Sequence, residues 1–523
     1  MTTVGEALVQ GLMARDVDVV FGIPGVHTIE LYRGIAAAGL RHVTPRHEQG
    51  AGFMADGYGR VSGKPGVAFV ITGPGLTNAI TPMAQARADS VPMLVVSGVN
   101  ARETLGKGLG CLHELPDQEA LMRQIALVSE TVSQPEGLAA ALERCFAPFG
   151  KRPGPAHLSV PLDVMGLAAQ PPLEIAEPAK PPHPDLSAVI ARLEAAERPV
   201  ILAGGGVKSQ ELALRRLSEA LDAPVVQTVN ARGLMHGHPL TVSASPSLAA
   251  VHGLISDADA LLALGTELGP TDYDMYGNGQ RLPLENLIRI DVSAEQLARH
   301  PCALTVEGDL TEILPALARR VPAAPRGGEA RAEAARTAAW AELEQACPGY
   351  PALVEQVAAL RDAFPKAIFA GDSTQAVYAA NLYYDHDRPG GWFNGATGFG
   401  ALGYALPAAI GASIAAPDAQ VIALMGDGGA QFTLPELGVA QDEKLPILFV
   451  VWNNAAYLEI ANSMQAAGIT PTGCHPIPPD FASIADAYGI IFARTKPENL
   501  TETLAHIRPL SAPMLLEIDI TDL

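Results

Sequence analysis

Short, wholly apolar runs recur along this chain, most of them closing on glycine or a small polar residue. They include "DVVFGIPG" (18–25), "GVAFVITGPG" (66–75), "SVPMLVVSGV" (90–99), "RPVILAGGG" (198–206), "ALLALGTE" (260–267), "NLIRIDV" (286–292), "KAIFAGDS" (366–373), "VIALMGDG" (421–428), "ILFVVWNN" (447–454) and "MLLEIDI" (514–520). Runs without apolar–polar alternation describe strands buried on both faces, which means parallel sheets covered by helices. With 523 residues the chain is too long for one core. Pro- and Ala-rich stretches at 166–185 and 321–340 read as breaks, the second turning into an Ala-rich helix. The expected fold class is therefore α/β, with three doubly wound parallel-sheet domains at 1–165, 186–320 and 341–523. In such sheets ligands bind where strands end at their carboxyl termini.

Composition narrows the function. No apolar run approaches the roughly 20 residues needed to span a bilayer, so no membrane association is expected. The opening "MTTVGEALVQ" has no basic region leading into an apolar one, and a cytoplasmic protein is expected. Five scattered cysteines without CxxC pairing argue against a disulfide framework or a zinc site. A formal charge of −21 argues against a nucleic-acid partner. That charge serves solubility, or else forms an acidic funnel for a cationic substrate.

Two of the apolar runs carry chemistry at their ends. "VIALM" and "PILFVVW" flank the helical "PELGVAQDEK" (435–444), a βαβ unit that puts Asp427 and Asn454 at the carboxyl ends of neighbouring strands. A carboxylate and an amide oxygen are hard ligands suited to Mg²⁺ or Ca²⁺, and Mg²⁺ usually completes its octahedron with phosphate oxygens. Gly428 and Gly429 would let backbone approach a phosphate, with the following helix N-terminus adding its dipole.

Gly-Asp-Gly followed after 24 residues by Asn-Asn resembles the thiamine-diphosphate signature of the acetolactate synthase, pyruvate decarboxylase and benzoylformate decarboxylase superfamily. The resemblance covers nearly the whole chain and implies pyrimidine-binding, central and diphosphate-binding domains in that order. It implies Mg²⁺ held by Asp427, the Asn454 side chain and the Ala456 carbonyl. "TPRHEQGAGFMADGYGR" (44–60) is similar to the family's glutamate motif, which places Glu48 at N1′ of the aminopyrimidine. A carboxylate there favours the imino tautomer, whose N4′ takes the proton from thiazolium C2. Family-like "GIPG" (22–25) and "TGPGLTNA" (72–79) add Gly25 and Asn78 to the cofactor-binding set. "GDSTQAVY" (371–378) offers Thr374 and Gln375 to the diphosphate. In "NGATGFGALGYALPAAIGA" (394–412) the Gly400 carbonyl would meet N4′, and Leu402 would be the wedge that folds the cofactor. Glutamate and metal come from different subunits in this family, so the resemblance implies an obligate homodimer with shared sites; a homotetramer is common among relatives.

Family members decarboxylate a small-molecule 2-oxo acid and differ in what the remaining carbon then meets. Acetolactate synthases carry Gly-Met-Val-x-Gln-Trp after the Asn pair. Here Leu458-Glu459-Ile460 replaces Gly-Met-Val and Ser463 replaces Trp, which weakens an acetolactate-type carboligase reading without removing it as the alternative. Glu459 replaces an apolar residue near the reacting carbon. A carboxylate there pairs with a substrate cation, acts in proton transfer, or turns outward. His113, in "GKGLGCLHELPDQ" (106–118), occupies the loop where relatives hold a catalytic Gln or His pair; an ordinary surface-loop histidine is the alternative. Glu267, Asp272 and Asp274 of "GTELGPTDYDMYG" (265–277) add acidity to the central domain. The softer motifs taken together look most like 5-guanidino-2-oxopentanoate decarboxylases, which release CO₂ and 4-guanidinobutanal. "AGGGVKS" (203–209) lacks the GxGxxG spacing, and "SASPSLAAVHGLI" (243–255) departs from the stretch found in FAD-binding synthases. FAD is not expected.

Overall fold

The structure, a computed structural model, describes residues 2–521 apart from 173, 176–182, 274–278, 280, 281 and 283. Asp274 lies outside the described residues. The described strands form three six-stranded sheets, and every pairing between them is parallel. The first sheet holds β1 (Val19–Gly22), β2 (Arg41–Val43), β3 (Gly66–Val70), β4 (Met93–Val99), β5 (Val128–Thr131) and β6 (Pro155–Pro161). The central sheet holds β7 (Pro199–Ala203), β8 (Val225–Gln227), β9 (Thr241–Val242), β10 (Ala260–Leu264), β11 (Leu287–Asp291) and β12 (Leu304–Glu307). The third holds β13 (Ile368–Gly371), β14 (Trp392–Asn394), β15 (Val421–Gly426), β16 (Ile447–Asn453), β17 (Ile491–Thr495) and β18 (Met514–Asp519). Inner strands such as β3, β4, β7 and β16 are buried along their whole length, as their uninterrupted apolar sequence requires.

The strand order of the first sheet is β2-β1-β3-β4-β6-β5, and that of the third is β14-β13-β15-β16-β18-β17, the same order strand for strand. In both, the chain leaves its first strand in one direction and crosses back to the other side for its third. This reversal opens a crevice at the carboxyl ends of β1 and β3, and another at those of β13 and β15. The central sheet, β12-β11-β10-β7-β8-β9, reverses between β7 and β10. There the Gly204–Gly206 turn is packed against the backbone of Gly265, to which Gly206 N donates at 3.0 Å. The Ala-rich helix Gly328–Ala346 bridges two domains: Ala332 and Ala339 share a core with Val251 and Ile255 of the central one, and Leu343 near its end shares one with Val354, Ala379 and Leu382 of the third. No helix among the described residues is long and apolar enough to cross a membrane.

One apolar cluster joins the first and third domains. Its centre is the contact of helix Glu48–Ser62 with helix Ala405–Ala415. A Cβ at Gly57 would overlap the Ala408 carbonyl, and one at Gly411 would overlap the Met54 carbonyl, so the two backbones touch with no side chain between them. Beside this seam Arg60 is buried between Asp56 and Asp89, 2.6 Å from each, and the Tyr404 hydroxyl donates to Asp56. Replacing Gly411 by Val should cost about 3 kcal/mol or more, the upper end of overpacking losses. Gly253→Ala, in helix Ala249–Ser256 with nothing within 4 Å of the added carbon, should gain about 0.5–1 kcal/mol. Thermal or urea denaturation compares the two, and equal stabilities would show that the seam tolerates separation.

Candidate active site

The third-sheet crevice gathers the metal and phosphate candidates. β15 ends at Gly426, and Asp427 opens a short helical turn, Asp427–Ala430. The Asp427 side chain is 1% exposed. Its Oδ1 accepts the Asn454 backbone N–H at 3.3 Å, while its Oδ2 has no hydrogen-bond partner. Desolvation raises its pKa, partly offset by the backbone amides around it. A buried, half-satisfied carboxylate is costly unless a cation or a proton completes it. The two asparagines divide the work. Asn453 Nδ2 donates to buried Glu517 at 2.8 Å and its Oδ1 accepts from Ala455 N at 3.2 Å, which braces a turn where Ala455 takes a φ of +53°. Asn454 is left facing Asp427, its Oδ1 accepting from Ala456 N at 3.1 Å. Asp427 and Asn454, joined by the Asn454 amide across two strand ends, and Ala456, tied to Asn454, offer hard oxygens, a donor set whose chemistry fits Mg²⁺ with phosphate oxygens filling the remaining positions.

Thr374 stands at the N-terminal end of helix Gln375–Leu382 after β13, and a Cβ at Gly426 would stand 2.9 Å from its Oγ1, so glycine there makes room for that hydroxyl. Gly428 lies under the Tyr457 ring, and Gly429 beside the Asp372 carboxylate, 3.2 Å from where a Cβ would be. Gly400, with φ +73°, and half-buried Leu402 belong to the loop that leads into helix Ala405–Ala415. Sequence reasoning passed over Asp372, which organises this crevice. It is fully buried, accepts from Ser373 N at 2.7 Å and Gly403 N at 3.2 Å, and so ties the loop after β13 to the Gly400–Leu402 loop. Burial pushes its pKa up to about 6 against those hydrogen bonds. Its only sequence signal was its place at the end of the run "KAIFAG".

The first-sheet crevice gathers acid–base groups. Glu48 is the first residue of its helix, and Asn78 Nδ2 donates to its Oε2 at 3.0 Å. Gly25 caps the single turn Val26–Thr28 after β1, and a Cβ on it would meet Ile71. His113 stands in the loop beyond β4 with φ +61°, its backbone against Gly73, just past β3. Glu436 is a second residue that sequence reasoning missed. From the third domain, its carboxylate accepts Arg46 N at 3.0 Å and His47 N at 3.0 Å, immediately before Glu48. Burial lifts its pKa to about 7, with those amides pulling the other way.

The structure thus assembles the predicted residues into two sets. Gly25, Glu48, Asn78 and His113 share one crevice, while Thr374, Gln375, Gly400, Leu402, Asp427, Gly428, Gly429, Asn454 and Ala456 share the other. Among the described residues no hydrogen bond joins Glu48 or His113 to the second set. Glu459, half-buried in the first turn of helix Leu458–Ala466, sits with the second set. Burial raises the phenol pKa of Tyr350 and of Tyr378, and the Glu459 carboxylate adds to it in both, so two tyrosines lie within its field. Glu267 is occupied elsewhere: Ser90 Oγ donates to it and Arg299 approaches at 3.5 Å. Asp272, pushed up to about 6 by burial, accepts from Val229 N at 3.1 Å in the central domain.

Comparison with known proteins matches this geometry to a family. Models of thiamine pyrophosphate enzymes match residues 2–121 (N-terminal TPP binding domain), 186–317 (central domain) and 372–518 (C-terminal TPP binding domain). A Pseudomonas aeruginosa protein named "Probable 2-ketoarginine decarboxylase AruI" is 43% identical over 97% of this chain and 91% of its own. The Corynebacterium glutamicum acetolactate synthase large subunit is 31% identical over 86% of this chain and 75% of its own. The structure of a thiamine diphosphate-dependent 4-hydroxybenzoylformate decarboxylase from Rhodococcus jostii superposes with a TM-score of 0.81 over 99% of both chains; at 24% identity it speaks for the fold alone.

Asp372 generates a test that needs no turnover. Its pKa in the folded protein, about 6, exceeds the ordinary 3.8, so ionising it costs folding stability, and that cost shrinks as the pH falls and the folded protein takes up the proton. Asp372→Asn cannot ionise. Its stability relative to wild type should therefore drop by about 1 kcal/mol between about pH 7.5 and about pH 5, measured by denaturation of cofactor-free protein. A difference independent of pH would show that Asp372 is not the strained carboxylate described.

Proposed function

The chain belongs to the thiamine pyrophosphate enzyme family and is a thiamine-diphosphate-dependent 2-oxo-acid decarboxylase; from that premise we propose that its substrate is 5-guanidino-2-oxopentanoate, the 2-oxo acid of arginine. The products are CO₂ and 4-guanidinobutanal. The observation that carries the substrate reading is Glu459, a carboxylate held half-buried where acetolactate synthases are apolar, with Tyr350 and Tyr378 around it. A guanidinium is the cation whose planar fork matches a carboxylate in a two-point pair. The name of the Pseudomonas relative agrees with this choice.

When bound, the cofactor would supply a nucleophilic carbon for the 2-oxo group and an electron sink for the loss of CO₂. The chain's own residues do the rest. Asp427, whose Oδ2 has no hydrogen-bond partner, would hold Mg²⁺ together with Asn454 and Ala456; Thr374, Gln375, Gly428 and Gly429 would receive the diphosphate. Gly25, Gly400 and Leu402 would grip the pyrimidine, with Glu48, oriented by Asn78, exchanging a proton at its N1′. His113 would give a proton to the carbon that has lost CO₂. The overall change, R–CO–COO⁻ + H⁺ → R–CHO + CO₂, moves no electrons to an acceptor, so we propose that the reaction proceeds without FAD.

Glu48 and the metal ligands occupy separate crevices, and exposed apolar side chains stand close to both: Val26 and Leu112 in the first domain, Phe399, Phe432 and Ile460 in the third. Apolar surface beside a half-site favours coverage by a second copy of the chain. The proposed unit is a homodimer in which Glu48 of the partner subunit serves the metal crevice, with a dimer of dimers as the larger assembly.

Purified protein with thiamine diphosphate and Mg²⁺ should release CO₂ and an aldehyde from 5-guanidino-2-oxopentanoate; acetolactate from pyruvate as the main product would favour the carboligase instead. Glu459→Gln should raise KM for the guanidino acid about tenfold or more while changing that for an apolar 2-oxo acid little, and equal effects would remove the pairing. Glu48→Gln should lower kcat at least about 100-fold. Mixed with Asp427→Asn and allowed to exchange subunits, it should recover up to about a quarter of wild-type activity, since each mixed dimer has one intact site. No recovery despite proven exchange would mean that each chain holds a complete site.

A further inference from the structure

His113 has a partner in the first-sheet crevice. His27, in the turn Val26–Thr28, places its ring centroid 5.3 Å from that of His113, with the planes at 85°. Both backbones are seated on strand ends through glycines. At Gly98, in β4, a Cβ would overlap the His27 carbonyl and come within 2.9 Å of the His27 Cβ. At Gly73 a Cβ would lie 2.5 Å from the His113 carbonyl oxygen and 2.9 Å from the His113 Cβ. The flanking hydrogen bonds are fixed as well. Thr28 Oγ1 accepts from Gly25 N at 3.2 Å and donates to Gly25 O at 3.1 Å. Asn100 Nδ2 donates to Leu112 O at 2.9 Å, and Glu114 accepts from Gly110 N at 2.7 Å and Cys111 N at 3.0 Å. This loop keeps His113 in the left-handed region at φ +61°, which few residues other than Gly adopt, His being among those found there more often.

His27 is 3% exposed and its Nδ1 has no hydrogen-bond partner. An orphaned buried imidazole nitrogen is unusual enough to call for a role. Burial lowers its pKa and the neighbouring His113 lowers it further, so the neutral imidazole is the favoured form of His27. Two carboxylates of the same crevice are already engaged, Glu114 by loop amides and Glu48 by Asn78.

We propose that His27 is a positioning residue for His113, holding the loop imidazole edge-to-face in the orientation from which its proton reaches the carbon that has lost CO₂. The proposal rests on the reading of His113 as proton donor. In each turnover His113 gives one N–H proton to that carbon, forming the aldehyde C–H bond, and regains one from water; His27 neither gains nor loses a proton.

The test uses His27→Phe, which keeps an aromatic edge, and His27→Gln, which keeps a polar group, beside His113→Gln, all in the cofactor-loaded enzyme. Both His27 variants should lower kcat about tenfold or more and move the acid limb of its pH profile, with KM changing less than about threefold. Added to His113→Gln, they should cost nothing further, because the two residues act as one unit. A readout free of turnover is ¹³C-histidine NMR without substrate, where replacing His27 should shift the titration midpoint of His113. Wild-type kcat and pH profile in both variants, losses that multiply with that of His113→Gln, or an unmoved His113 midpoint each overturn the proposal. Wild-type turnover in His113→Gln would instead overturn the proton-donor reading and the catalytic role of His27 with it, while the NMR midpoint reports separately on their contact.

Discussion

Two helices that touch backbone to backbone hold this molecule in register. Where Gly57 meets Ala408 and Gly411 meets Met54, the helix that begins with Glu48 and the helix that follows the Gly400–Leu402 loop have no side chains between them. A contact of that kind cannot slide, because every residue larger than glycine would force the helices apart. It therefore fixes where Glu48 begins its helix relative to the third domain of the same chain. Glu436 completes the connection by accepting the amides of Arg46 and His47, so the βαβ unit that carries the metal candidates also anchors the segment that carries the acid–base glutamate. The buried Asp56–Arg60–Asp89 group beside the seam adds little net stability, since both charge signs were removed from water, but it admits one arrangement only.

The repeated strand order explains why there are two half-sites. Each outer sheet opens a crevice where its first and third strands end, and the two crevices have been filled with opposite chemistry. The first holds groups able to carry or orient a proton: Glu48, His113 and the His27 ring beside it. The third holds groups suited to cations and anions: a buried carboxylate, an amide oxygen and glycine-lined turns. Neither crevice alone offers both a proton carrier and a phosphate anchor, and each has exposed apolar residues nearby.

Much of this was legible in the sequence because it is local. Uninterrupted apolar runs identify buried parallel strands, and Asp427 and Asn454 follow directly from strand ends a fixed distance apart along the chain. The residues that escaped notice act over long separations. Asp372 reaches amides at Gly403, Glu436 reaches amides at Arg46 and His47, and His27 meets a loop that starts beyond β4. None of these partners is announced by spacing, since each depends on which strand ends become neighbours. The glycines were similarly opaque: Gly57, Gly73, Gly98 and Gly411 look like ordinary breaks in apolar pattern, yet each marks a backbone that another backbone approaches. The Ala-rich helix at 328–346 read as part of a connection because its apolar face is built from alanine, which is small enough to pack closely on the central domain without a strong hydrophobic stripe.

Selectivity among 2-oxo acids rests on a different physical balance from cofactor binding. The proposed anchor is held by local hydrogen bonds, Asn454 N to buried Asp427 and Ala456 N to Asn454, which a change of substrate need not touch. Glu459 lies just past the Asn pair, on the first turn of its own helix, where it can be replaced without disturbing the anchor. A half-buried carboxylate near two phenols keeps part of its hydration when the site is empty, and on the proposed reading it would give that up when a substrate cation arrives. Water is replaced at that moment by a charged, two-point hydrogen-bonding partner, whereas an apolar substrate would strip the water and return nothing. On the proposed reading, the same residue attracts a guanidino acid and disfavours pyruvate-like ones, so specificity would be set by the penalty on the wrong substrate as much as by the gain with the right one.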